Sequence, residues 1–121
     1  MITAERLLRI HDEIIGRHGG IAGVRDQGTV DHVAWVAEEL ADAGKPVEAA
    51  AVLIEGIANW HPFNDGNKRT AFEAADTLLR MNGMRIEAPT PETISMLLAV
   101  SQGLMDRDGI ETWLLSRLTF G

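Results

Sequence analysis

Between residues 61 and 70 the chain reads His61-Pro62-Phe63-Asn64-Asp65-Gly66-Asn67-Lys68-Arg69-Thr70. This stretch holds a titratable base, a hard carboxylate, a glycine turn and two cations. Such groups suit phosphoryl or nucleotidyl transfer. Pro62 disfavours helical geometry for His61 and so ends the preceding helix there. Asp65-Gly66 and Gly66-Asn67 are turn dipeptides, and Phe63 among polar neighbours reads as an anchor pushed into the core.

A new helix starts at or just after Asn67. Its first amides lack partners within the helix, and its dipole favours an anion at that end. With Gly66 before it and Lys68-Arg69 in its first turn, it reads as a phosphate site. Two cations there oppose the dipole, a conflict that a bound anion removes. Asp65 is the carboxylate that magnesium would accept beside phosphate oxygens. His61 is the candidate general base. Taken singly, each residue has an ordinary reading: a helix-end histidine, a turn, an N-cap, a solvated pair of cations. Together those readings leave the charge conflict unexplained.

The elements that must position this loop are helical. The 121 residues set the scale of one domain. Thr3 caps a first helix with Ala4, Leu7, Leu8, His11, Ile14 and Ile15 on one stripe, ended by Gly19-Gly20. Thr29 opens a second (Val30, Val33, Ala34, Ala37, Leu40, Ala41) that closes near Gly44-Lys45-Pro46. A third (Ala49, Val52, Leu53, Gly56, Ile57, Trp60) runs into the loop. A fourth (Ala71, Phe72, Ala75, Leu78, Leu79) leaves it and stops at Asn82-Gly83. Thr90-Pro91-Glu92 starts a fifth that turns Ile94, Leu97, Leu98 and Leu104 inward. A sixth begins at Asp108, with Glu111 three residues on, and buries Ile110, Trp113, Leu114 and Leu118. The glycines at 19, 20, 23 and 28 interrupt this pattern, so Ile21 to Val24 reads as a short extended flap. Met84 to Ala88 is a second extended piece. The expected architecture is an all-α bundle of about six helices with one glycine-rich flap.

The formal charge of −7 argues against a broad nucleic-acid surface, which needs a basic face. A helix-turn-helix reader is disfavoured for the same reason. No apolar run is long enough to span a bilayer and no leader-like segment opens the chain, which points to a cytoplasmic protein. The absence of cysteine excludes disulfides and a thiolate nucleophile. His11 lies on an apolar stripe and reads as a core histidine, Arg25-Asp26 as an ion pair or cap. His18 and His32 carry no signal. Trp35 lies off its stripe, whereas Trp60 and Trp113 read as packing.

The loop resembles the Fic/Doc signature HxFx(D/E)GN(G/K)R, with all seven specified positions matched from His61 to Arg69. Lys68 followed by Arg69-Thr70-Ala71 is similar to the Doc (death-on-curing) branch. Fic proteins carry glycine at the Lys68 position and commonly a second arginine at the Phe72 position. The short length, the His11-Asp12 start and Gly19-Gly20…Gly23-Val24-Arg25-Asp26 also look Doc-like. The resemblance implies His61 as catalytic base, Phe63 as loop anchor and Asp65 as magnesium ligand. It further implies Gly66, Asn67, Lys68 and Arg69 as the nucleotide site, and Ile21, Ala22, Gly23 and Val24 as a target-binding flap. Its implied activity is that of a toxin kinase that moves the γ-phosphate of ATP to a hydroxyl of elongation factor Tu and arrests translation. AMP transfer of the Fic type and a catalytically silent binding protein are the alternatives. The inhibitory pattern (S/T)xxxE(G/N) of many Fic proteins is missing, which fits control by a separate Phd-like antitoxin.

Overall fold

A run of small and branched apolar residues makes the third helix the axis of the molecule. The computed structural model covers residues 1–121. Its elements are α1 (Ala4–His18), α2 (Gln27–Asp42), α3 (Pro46–Ala58), α4 (Asn67–Met81), β1 (Met84–Ile86), α5 (Thr90–Ser101), α6 (Arg107–Leu115) and β2 (Leu118–Phe120). Nine of the thirteen residues of α3 are buried, on every side of the helix. Such all-round burial is the expected state of a helix whose only charged residues are Glu48 and Glu55. Gly56 makes the close approach to α2 possible, because a Cβ there would land on the Val33 side chain. The buried apolar residues form one continuous cluster of 28 residues, to which every helix contributes.

The architecture is the expected all-α bundle of six helices, with a two-stranded sheet added. Thr3 caps α1 by accepting the Arg6 amide, and Gly19 and Gly83 take positive φ just beyond α1 and α4. Several boundaries differ from the sequence reading. Asp26, not Thr29, caps α2; its carboxylate accepts the Thr29 amide and hydroxyl. Asp106, not Asp108, caps α6 through the Gly109 amide. Thr90 is already helical, follows Pro89, and its side chain makes no cap bond. Each true cap lies three residues before the amide it serves, so a run of polar residues offers competing starts.

The C-terminal part departs most. Met84–Ile86 pairs antiparallel with Leu118–Phe120, so Leu118 sits half-buried on a strand rather than inside α6. On α5 the buried face is Met96, Leu97 and Val100, while Ile94 and Leu98 are exposed, as is Leu104 in the turn beyond the helix. Apolar residues surround this helix, and its seat against α3 selected one face. Trp60 is half exposed and stacks loosely beside His32; Trp113 is partly covered by the Arg117 guanidinium, 4.6 Å above its ring. Trp35 is exposed, as its position off the stripe implied.

Candidate functional site

The loop between α3 and α4 is locked from three directions. Phe63 is fully buried, and it carries the main chain down into the core with it. Asn67, the first residue of α4, closes the loop from below: its Oδ1 accepts the Phe63 amide and its Nδ2 donates to the Phe63 carbonyl, both at 3.0 Å. The Asn67 side chain is therefore spent on the loop, and only its backbone amide faces outward chemistry. His11 on α1 supplies the third tie. Its ring stacks on Phe63, and its Nε2 bonds to the Asp65 carbonyl at 2.8 Å.

The loop then turns sharply. Gly66 adopts φ 73° and ψ 18°, a left-handed geometry that glycine enters without the usual steric cost. The first intrahelical bond runs from the Thr70 amide to the Gly66 carbonyl at 3.0 Å. The amides of Asn67, Lys68 and Arg69 have no backbone acceptor, so they form an open row of donors at the positive end of α4. Gly66 itself donates to Asp65 Oδ1 at 2.9 Å.

His61 begins the loop in a strained state. Its amide still bonds to the Ile57 carbonyl, yet its φ is +51°, the one positive value outside glycine. Conformations of this kind cost on the order of 1–3 kcal/mol and persist only where neighbours over-determine them. The neighbours here come from the flap. The Arg25 guanidinium donates to the His61 and Phe63 carbonyls, and the Arg25 and Asp26 amides donate to the Pro62 carbonyl. Val24 forms a single antiparallel bridge with Phe63, Asn64 reaches Ala22 and Gly23, and the Ile21 amide donates to Asp65 Oδ2 at 3.1 Å. The flap is fastened to the loop along its whole length. Gly20 permits this, since a Cβ there would come within 2.8 Å of Asp65 Oδ2.

These contacts set the charge of Asp65. The Ile21 amide, then the Gly66 amide, hold its carboxyl below the usual carboxylate range, helped by the nearby Lys68 ammonium. Asp65 is an anion at neutral pH and keeps lone pairs free on both oxygens.

A cavity of about 400 Å³ opens above the α4 terminus. His61 and the segment Asn64 to Arg69 form one wall, while Ile14, His18, Gly19 and Arg25 form the other. Ile14 is its one apolar residue, so the lining is polar almost throughout. The structure thus brings together His61, Asp65, Gly66, Asn67, Lys68 and Arg69. Phe63 lies beneath them, and Ile21, Ala22, Gly23 and Val24 form the exposed rim rather than the wall. Sequence reasoning missed the part played by Arg25, His11, Asn64 and His18. Arg25-Asp26 is not an ion pair: Arg25 clamps the loop and Asp26 caps α2.

An all-helical bundle that presents a histidine loop above a glycine-turned helix N-terminus defines a class, and the comparisons agree with it. Residues 1–79 match the model of the Fic/DOC family. The chain belongs to that family. It is 35% identical over 108 residues to the protein kinase doc of Escherichia phage P1, covering 84% of this chain and 82% of that protein. It is 42% identical over 76 residues to the toxin Doc of Mycolicibacterium smegmatis (strain ATCC 700084 / mc(2)155), covering 58% of this chain and 57% of that one. No helix is long and apolar enough to cross a membrane.

Proposed function

We propose that this chain is a Doc-type toxin that phosphorylates a protein hydroxyl, with ATP as phosphoryl donor, magnesium as cofactor and elongation factor Tu as its target. The observation that carries the reading is the cavity itself. It sets a half-buried histidine beside a row of unpartnered amides, two cations and one anionic carboxylate. The names of the two relatives, a kinase and a toxin, support the same direction.

The α4 amides, with Lys68 and Arg69, would take the nucleotide phosphates and offset their charge. No cluster of three or more His, Cys, Asp or Glu exists to cage a metal. One exposed carboxylate suits magnesium, which binds through one or two carboxylates plus phosphate oxygens and water. When bound there, that ion would supply charge neutralisation on the phosphates. His61 would accept the proton as the target hydroxyl oxygen bonds to the γ-phosphorus. The bond from the γ-phosphorus to the bridging oxygen breaks, and ADP leaves. In such reactions positioning and electrostatics supply most of the rate. The rim Ile21 to Val24 would hold the target segment. Inhibition would come from a separate Phd-like antitoxin that orders on binding.

The test is the intact mass of elongation factor Tu after incubation with the protein, ATP and magnesium, beside a His61→Ala control. The expected result is a gain of one phosphoryl group, slowed on the order of 10²- to 10⁴-fold by the substitution. A gain of one AMP would replace kinase chemistry with nucleotidyl transfer at the same site. An unchanged mass with the wild-type protein would reject this target.

A further inference from the structure

We propose that Arg25 is a positioning residue for His61, holding the candidate base in its left-handed backbone state so that the imidazole stays on the cavity wall. The clamp is a fact of the geometry; its catalytic consequence rests on the kinase reading. Three successive carbonyls, those of His61, Pro62 and Phe63, all accept bonds from this one residue, the next after the flap. Its Nε and Nη2 reach the His61 carbonyl at 3.2 and 3.0 Å, Nη2 also reaches the Phe63 carbonyl at 3.2 Å, and its amide reaches the Pro62 carbonyl at 2.8 Å.

The target of this clamp is the one non-glycine residue with positive φ, and it precedes a proline that narrows its choices further. Without the clamp the His61 peptide has no other side-chain donor to hold its carbonyl. Arg25 is not occupied elsewhere: the four ion pairs of the molecule belong to Arg80, Arg85, Arg107 and Arg117. A guanidinium is suited to the task, since its planar fork spans two carbonyls at once, whereas a lysine ammonium is a point donor. The rival role for Arg25, as one more cation on the cavity wall, predicts a different pattern of loss.

The full-length chain, labelled with ¹³C and ¹⁵N, is compared as wild type, Arg25→Ala and Arg25→Lys. The His61 Cα and Cβ resonances report its backbone state, and thermal melts confirm that each variant is folded. Kinetics on elongation factor Tu with ATP and magnesium give the second readout. Both variants are expected to move the His61 resonances away from the left-handed position. Both are expected to lower kcat on the order of 10- to 100-fold, with KM for ATP changed by less than about twofold. Unmoved His61 resonances in Arg25→Ala would overturn the proposal. So would a raised KM with normal kcat that lysine restores, which is the signature of a phosphate contact. If the wild type transfers no phosphate, the functional reading fails, and the resonances still decide whether Arg25 sets the His61 backbone.

Discussion

The imidazole of His11 lies flat on the ring of Phe63, with centroids 3.9 Å apart and planes within 7° of parallel. Since Nε2 of His11 meets a carbonyl oxygen, that of Asp65 at 2.8 Å, it must carry the proton. The pair joins α1 to the loop through one apolar contact and one polar contact, both away from water, for His11 is 1% exposed.

Replacing His11 with alanine removes the stacked ring and leaves the Asp65 carbonyl without its donor. The expected loss is about 2–4 kcal/mol of unfolding free energy, read from urea denaturation. His11→Phe keeps the stack and loses only the bond, so it should cost less than the alanine variant. Equal losses in the two variants would show that the bond, not the ring, does the holding.

Thr70 is fully buried, and its hydroxyl has no hydrogen-bond partner. A valine of the same shape removes the unmet polar atom and keeps the packing. Thr70→Val should raise stability by about 1 kcal/mol, seen as a higher Tm by calorimetry. A lower Tm would mean that the hydroxyl finds a partner in solution.

Gly66→Ala should be costly for a reason of geometry. Its φ of 73° lies where a side chain is disfavoured, and the new Cβ would meet Ile15 Cδ1 at 3.2 Å. The expected cost is about 1–2 kcal/mol in denaturant melts. Weaker binding of ATP by calorimetric titration should accompany it, because the turn aims the α4 amides. Unchanged stability and binding together would show that the turn adapts.

Acid should release the flap. Asp65 has a depressed folded-state pKa, caused first by the Ile21 amide and then by the Gly66 amide. Its contribution to flap closure is therefore complete above the unfolded carboxylate value of about 3.9 and is lost as pH falls through the lower folded value. The Ile21 amide resonance, followed between neutral pH and about pH 2, should titrate with an apparent pKa below the ordinary one. In Asp65→Asn that titration should vanish. An Ile21 resonance that shifts identically in both proteins would disconnect it from Asp65.

The parts of this fold legible in the sequence are those with local causes. Thr3 before α1, Gly83 after α4 and the proline after His61 each act on neighbours a few residues away. The loop was legible for the same reason, because its chemistry is compressed into nine consecutive residues. What escaped depends on distant partners. His11 read as a core histidine, and it is one, but its bond to the loop spans 54 residues. Arg25 binds a carbonyl 36 residues away, and no spacing rule announces that. The strand Leu118–Phe120 exists only because Met84–Ile86 lies beside it. The face that α5 buries was ambiguous because apolar residues surround it, and packing against the rest of the bundle resolved the choice.

The cavity has one wall from residues 14 to 25 and the other from residues 61 to 69. Neither stretch holds half a pocket that could work alone. A chain still emerging from the ribosome has no such cavity until the second stretch is free to pack on the first. A fragment that ends before His61 lacks one wall outright. The cavity is thereby a property of the folded bundle, and it closes late in the making of the chain.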